Sequence, residues 1–291
     1  MTQIQLPKLI KVDPNKIKKK KILLLSDDLR MHSGIATVSR EIVLNTVKEY
    51  DWVQLGAALK HPDQGKRFDM SADVQKETGV KDASVTVYPC DGYGNPDLVR
   101  QLIKVEKRLS NKSKPIEVLI NNAGFGIKES FTDSNIKAEQ ELLDVLVTAP
   151  MRLSHAVLPG MIKRNSGIIV NVSSVASFIA GGTYSAAKSY LTVFSESLHT
   201  ELRGTNVKIS ALCPGFTRTE FHARGRMKMT ALPKFMWLDS DKLVSKSWKY
   251  AKANRVICIP GWQYKILSAI ARNAPRPIVR KVGMNVRKKQ R

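Results

Sequence analysis

The stretch Asn171-Val-Ser-Ser-Val-Ala-Ser-Phe-Ile-Ala-Gly-Gly-Thr-Tyr-Ser-Ala-Ala-Lys188 sets a phenol and an ammonium four residues apart, shortly after a run of serines. A spacing of four puts the Tyr184 phenol and the Lys188 ammonium on one face of a helix. A nearby ammonium favours the ionised phenol and lowers a pKa that is otherwise about 10. Such a tyrosine can act as acid or base near neutrality. Ser174, ten positions earlier, adds a hydroxyl that can hydrogen-bond the same substrate oxygen. With seven tyrosines in the chain, a chance Tyr-x-x-x-Lys is expected, so the neighbours carry the weight. Asn121-Asn-Ala-Gly124 follows the apolar run Val118-Leu-Ile120. Cys213-Pro-Gly215 follows Val207–Leu212, with Thr219 four residues after the glycine.

Working outward, apolar β-type runs alternate with helical patterns. The expected strands are Ile22–Ser26, Trp52–Ala57, Val85–Pro89, Glu117–Asn121, Gly167–Ser173, Lys208–Cys213 and Arg255–Ile259. The expected helices are Thr37–Tyr50, Pro96–Leu109, Ala138–Arg164, Ser185–Arg203, which stops before Gly204, and Ser240–Ala253. This alternation predicts one α/β domain, a doubly wound, Rossmann-like parallel sheet of about seven strands. Its ligand crevice lies at the carboxyl ends of the strands, where Asn121, Ser174 and Pro214 all fall. The domain is expected over residues 21–262. A basic arm precedes it at 1–20 and a basic segment follows at 263–291.

Asn121-Asn-Ala-Gly, Asn171-Val-Ser-Ser, Tyr184-Ser-Ala-Ala-Lys188 and Pro214-Gly-x-x-x-Thr219, in this order, resemble the short-chain dehydrogenase/reductase family over about residues 105–262. The resemblance implies an NAD(P)-dependent oxidoreductase acting on a carbonyl/alcohol pair. It makes Tyr184 the proton donor or acceptor and Ser174 the holder of the carbonyl oxygen. It makes Lys188 the group that tunes Tyr184 and binds the nicotinamide ribose. Asn121, Ala123 and Gly124 would line the cofactor cleft, with Pro214, Gly215 and Thr219 at its nicotinamide and pyrophosphate end. Asp91 would contact adenine. Lys60, after the second strand, suits a 2′-phosphate and leans the expectation to NADP over NAD. The family's asparagine in the long helix, which helps hold a proton-relay water, is here Leu146, which cannot bind that water.

The first hundred residues fit this pattern less well. The family's phosphate loop, Thr-Gly-x-x-x-Gly-x-Gly, reads here Ser26-Asp-Asp-Leu-Arg-Met-His-Ser-Gly-Ile-Ala-Thr37. With Gly34 as the middle glycine, Arg30 and Ala36 replace the other two. Their Cβ atoms are unwelcome where φ is positive or a pyrophosphate approaches closely. The helix N-terminus around Ile35–Val38 still offers phosphate its amides, and Arg30 adds charge. Residues 21–100 also resemble the acceptor-side Rossmann half of two-domain glycosyltransferases, which suggests a fusion joined near Pro96–Leu109. Two alternatives therefore stand beside the oxidoreductase: a Rossmann-like scaffold or binding protein with impaired catalysis, and a sugar- or nucleotide-binding protein of glycosyltransferase descent.

Composition sets the remaining bounds. The 291 residues are 43% hydrophobic, enough for a sizeable core. No run approaches the ~18 apolar residues of a membrane span, and no secretory signal is evident. Cys90, Cys213 and Cys258 form no Cys-x-x-Cys pair and read as reduced, buried thiols of a cytoplasmic protein. Nothing has metal-ligand spacing. The net charge of +23 is concentrated partly at the ends: Lys8–Lys21 holds one acid, Asp13, and Arg272–Arg291 holds none. Such blocks are solvated tails or contacts to anionic surfaces. The lack of aromatic interleaving argues against nucleic acid as a partner. Met227–Leu238 lies where the family carries its substrate-covering lid. Its apolar residues suggest a hydrophobic substrate, or else core or subunit packing. Trp262, Ile266, Leu267 and Ile270, flanked by Lys265 and Arg272, form a stripe that suits a peripheral membrane contact or packing against the body or a second subunit of a homo-oligomer.

Overall fold

The computed structural model describes residues 19–31, 34–58, 66–91, 115–218 and 233–290. Eight strands form one sheet: β1 Lys20–Asp27, β2 Tyr50–Ala58, β3 Phe68–Asp69, β4 Val85–Asp91, β5 Ile116–Asn121, β6 Gly167–Val172, β7 Val207–Leu212 and β8 Ile257–Cys258. The helices among the described residues are α1 Gly34–Thr46, α2 Ser71–Thr78, α3 Ile136–Leu143, α4 Ala149–Arg164, α5 Thr183–Glu201, α6 Ser240–Lys252, α7 Trp262–Asn273 and α8 Arg276–Gln290. The sheet order is β3-β4-β2-β1-β5-β6-β7-β8. Every pairing is parallel except that of β3 with β4.

The doubly wound reading holds, and the strand sequences show why. Successive side chains of a strand point to opposite faces. Leu23 and Leu25 of β1 enter one buried cluster with Leu119, Ile169 and Ile209. Ile22 and Leu24 enter the other, with Trp52, Val85, Ile120 and Val170. Strands buried on both faces read as continuous apolar runs, as Ile22–Leu25 and Val118–Ile120 do. Helices α3, α4 and α5 cover the first face through Leu142, Leu153, Val157 and Ala187. Helices α1 and α6 cover the second through Ile42, Val43, Leu243 and Val244. Each Val, Leu or Ile among them, fully buried, stabilises the fold by about 1.5–3 kcal/mol over exposure.

The seven expected strands are present, and an eighth is added. β3 has two residues, too few for any periodicity to show, and it pairs antiparallel at the sheet edge. The expected helix Ala138–Arg164 starts at Ile136, where the Asn135 side chain caps Lys137 N. It runs through a π-helical turn, Asp144–Thr148, into α4. By length and composition this 29-residue stretch is apolar enough to cross a membrane. The reading that no run reaches that level therefore needs amending. Its apolar residues Leu142, Val145, Leu146, Leu153 and Met161 are buried in the first cluster, as in a core helix. α5 ends at Glu201, and the turn that follows passes through Gly204 at φ +88, a conformation that favours glycine. α2, α7 and α8 were not read as helices. The described part of the basic segment 263–291 is helical except for the break at Ala274 and Pro275. The expected helix Pro96–Leu109 and the arm 1–18 lie outside the described residues.

Candidate active site

Ser174, Tyr184 and Lys188 come together at the carboxyl end of β6. Ser174 leaves the strand in extended conformation, and its hydroxyl accepts from Ala176 N at 3.1 Å, capping the turn Val175–Phe178. The same hydroxyl is 3.5 Å from Pro214 O and meets the Tyr184 hydroxyl in a hydrogen bond. Tyr184 lies in the first turn of α5, and Lys188 follows one turn later. Lys188 is 4% exposed, donates to Val172 O at 2.6 Å, and holds Nζ 5.8 Å from the Tyr184 ring centroid. Ser173 ties this turn of α5 to β6, donating to Lys188 O at 2.7 Å.

The electrostatics differ from the expectation. Burial pushes Tyr184 up to about 12, and the Ser174 hydrogen bond only partly opposes it. Burial also pulls Lys188 down to about 8. The ammonium that was expected to lower the tyrosine is desolvated and committed to a backbone carbonyl. The protonated phenol is therefore the resting form, suited to donating a proton to a carbonyl oxygen. The Cys213 thiol beside Lys188 is pushed up to about 11 by burial and stays protonated.

The cleft floor is built by the Asn-Asn-Ala-Gly run. Asn121 is buried and donates to Asn171 Oδ1 at 2.8 Å, and Asn171 donates to Ser195 Oγ at 2.9 Å. Asn121 Oδ1 has no hydrogen-bond partner among the described residues. Ala123 N donates to Leu25 O at 3.0 Å. At Gly124 an added Cβ would stand 2.9 Å from Leu146 Cδ2 and 3.6 Å from Lys188 Nζ, so the missing side chain keeps this wall open. Leu146 is fully buried in the π-helical turn, as an apolar back wall rather than a water ligand. Asn122 was not singled out from the sequence. It donates to Ser39 Oγ at 2.8 Å and fastens the end of β5 to α1.

The β1–α1 loop has a different construction. Gly34 opens α1, whose own first turn carries no acidic residue. Ala36 is 1% exposed and packed in. Arg30 is not a loose substitute for glycine. It grips the Asp28 carboxylate with Nε at 3.0 Å, Nη2 at 2.7 Å and its own amide at 2.9 Å. Its guanidinium lies 4.0 Å from the centroid of Phe68. Asp28 is buried against Gly56, where a Cβ would come within 2.9 Å of Asp28 Cα. Gln54 of β2 braces the loop, accepting from Leu29 N at 3.0 Å and donating to Ser26 Oγ at 2.7 Å.

Gly215 is set by packing. An added Cβ would fall 2.1 Å from the Tyr264 ring. Tyr264, from α7, accepts from Phe216 N at 2.9 Å and donates to Met236 O at 2.6 Å, joining Phe216 to the C-terminal part of the segment Met227–Leu238 expected to be the lid. Phe216 and Leu238 are also joined, through Leu238 N to Phe216 O at 2.8 Å. Nothing in the local motif pointed to Tyr264, which lies 48 residues beyond Phe216. Asp91 ends β4 opposite Ala58, and its side chain lies outside the described residues, as do Lys60, Thr219 and Met227–Leu232.

Comparison with known proteins agrees with this geometry. The short chain dehydrogenase family model matches residues 65–229. An uncharacterised oxidoreductase of Myxococcus xanthus (strain DK1622) is 30% identical over 200 residues, 67% of this chain and 76% of that protein. Human retinol dehydrogenase 8 is 30% identical over 217 residues, 72% of this chain and 68% of that protein. The solved short-chain dehydrogenase from Sphingobium yanoikuyae in complex with NADPH superposes with TM-score 0.66 at 25% identity, covering 85% of this chain and 92% of that one. The chain belongs to the short-chain dehydrogenase family and is an NAD(P)-dependent dehydrogenase/reductase. The glycosyltransferase resemblance and the fusion are not borne out. The family match runs unbroken across the join expected at 96–109. β1 pairs with β2 on one side and with β5, from beyond that join, on the other.

The site residues fit the family's dinucleotide at its nicotinamide end. Lys188 is a buried cation with no carboxylate partner among the described residues, beside a wall that Gly124 keeps clear. An ammonium donates three hydrogen bonds, and ribose hydroxyls are suitable acceptors. At the phosphate end, the first turn of α1 carries no acidic residue, and helix N-termini favour anions.

Proposed function

We propose that the protein interconverts a carbonyl and an alcohol on a hydrophobic small molecule with NADP(H). The hydrogen-bonded pair Ser174–Tyr184, with Lys188 buried one turn below, carries this reading. A bound nicotinamide supplies or accepts the hydride. In reduction, Ser174 holds the carbonyl oxygen and Tyr184, resting as the phenol, gives it a proton. In oxidation, Tyr184 takes the proton back. Lys188 donates to the ribose and stabilises the phenolate as it forms, a charge that this dry site does not otherwise tolerate. Asn121, Ala123 and Gly124 shape the floor, with Pro214 and Gly215 at the far wall, and the family resemblance adds Thr219. Gly34, at the start of α1, receives phosphate, and Asp91 lies near adenine. The lean toward NADP rests on Lys60 and on the NADPH held by the Sphingobium relative.

The apolar character of the segment before α6 supports a hydrophobic substrate. Phe235 is 61% exposed, and Phe216 and Trp237 rings stand 6.3 Å apart at its base. The free, buried thiols of Cys213 and Cys258 suit a reducing, cytoplasmic compartment. Exposed Met151 and Ile162 on α4 and Val193 on α5 offer surface that a homo-oligomer would bury.

The test is a carbonyl screen with NADPH, comparing the unmodified chain with Tyr184→Phe. Turnover of apolar ketones or aldehydes that Tyr184→Phe abolishes is the expected result. Turnover that survives the substitution would remove Tyr184 from the chemistry.

A further inference from the structure

α7 and α8 are amphipathic helices whose inner faces are occupied. Tyr264 and Ser268 of α7 are buried, as are Val279 and Gly283 of α8. Gly283 sits so close to Ala180 that a Cβ would stand 2.4 Å from its carbonyl oxygen. The outer faces are apolar as well. On α7, Trp262, Ile266 and Ile270 recur every fourth residue and are 68%, 52% and 58% exposed. On α8, Ile278 and Val282 repeat the same step at 56% and 48%. A solvated helix face is normally polar. Contiguous exposed apolar surface marks a contact.

Charge decides what makes that contact. Residues 262–291 carry nine Lys and Arg and no Asp or Glu. Lys265 and Arg272 flank the α7 stripe, and Arg280 and Lys281 lie on α8. A second copy docking by the same face would set two acid-free basic surfaces against each other. An anionic bilayer accepts both features: the apolar stripe enters the headgroup–acyl boundary and the cations meet lipid phosphates and carboxylates. We propose that the α7–α8 face docks on the surface of an anionic lipid bilayer, with Trp262, Ile266 and Ile270 inserted.

The docked face adjoins the substrate side of the cleft. Tyr264, on the inner side of α7, joins Phe216 to Met236 ahead of α6. Arg272 lies 5.5 Å over the ring of Phe178, and α8 abuts Ala180, both in the loop that joins Ser174 to Tyr184. A bilayer-dissolved substrate would meet the site from that side. The docking itself is independent of the chemistry assigned to Tyr184.

Co-flotation of the full chain with vesicles tests this. One set is phosphatidylcholine alone, and the other contains about a third phosphatidylserine. Binding is expected to the anionic set, weakened by salt. Ile266→Asp/Ile270→Asp, at exposed positions, should lower it by about tenfold or more. Lys265→Glu/Arg280→Glu/Lys281→Glu should lower it comparably, with thermal melts unchanged in both. Three results would overturn the proposal: no preference for anionic vesicles, full binding by the aspartate variant, or a dimer that the aspartate variant dissolves in a chain that ignores lipid.

Discussion

The carboxyl end of β6 and the carboxyl end of β1 sit two strands apart in one sheet, yet they are built on opposite plans. Around Ser174, Tyr184 and Lys188, motif and geometry agree, and the site holds a buried cation without a described carboxylate partner. Around Asp28–Ala36, the charged groups are already matched: Asp28 and Arg30 close on each other in a bidentate pair. The first region leaves its ammonium to a backbone carbonyl, and the second satisfies its charge within the loop. A replaced glycine in a phosphate loop is therefore to be judged by what its side chain binds.

The largest effect is expected in the first region. Tyr184→Phe should lower kcat by about 10³-fold while leaving NADPH affinity unchanged, as seen by fluorescence titration. Loss of affinity to match the loss of turnover would mean that the ring, rather than the proton, matters. The loop comes next. Arg30→Gly, a substitution toward the family pattern, should destabilise the fold by about 3 kcal/mol in urea melts, because Asp28 is left buried and unpaired. Adding Asp28→Ser should recover most of that loss. A neutral Arg30→Gly would show that the pair is idle.

Lys188→Met sharpens the contrast through pH. The folded protein holds Lys188 at about 8 against an ordinary 10.5. The cost of burying its charge is fully present below pH 8 and fades as the pH rises toward 10.5, where the unfolded chain also loses its proton. That cost is about 3 kcal/mol, offset in the variant by about 1 for the bond lost at Val172 O. Lys188→Met should thus be inactive yet more stable by about 2 kcal/mol at pH 7, with the gain disappearing above pH 10. Equal stability at both pH values would contradict a strained, buried ammonium. The smallest effect is expected at Tyr264→Phe: about 1 kcal/mol from the lost hydroxyl bonds, with a raised KM if those bonds position the segment over the substrate. An unchanged KM would confine Tyr264 to packing.

How much was legible follows from where the signals lie along the chain. The long strands and helices announce themselves because Ile22–Leu25 and Val118–Ile120 are buried on both faces, and because α5 carries Tyr184 and Lys188 at helical spacing. β3 escaped because two residues have no period. The tyrosine's pKa departs from the sequence expectation because spacing reports that an ammonium is near, and not that it is buried and bonded to a backbone carbonyl. Asn122, Gln54 and Tyr264 escaped because their partners are 83, 25 and 48 residues away in sequence. Arg30 was read as a missing glycine because its counter-ion, Asp28, becomes a partner only when the loop folds.

The most direct measurement is a titration of the unmodified chain with NADPH and NADH, followed by nicotinamide fluorescence and repeated on Asp28→Ser/Arg30→Gly/Ala36→Gly. The account predicts saturable NADPH binding in the micromolar range by the unmodified chain, tighter than NADH, with the Asp28–Arg30 pair in place. Binding by the glycine-restored variant alone would contradict it, and would mean that the ion pair closes the loop to the dinucleotide.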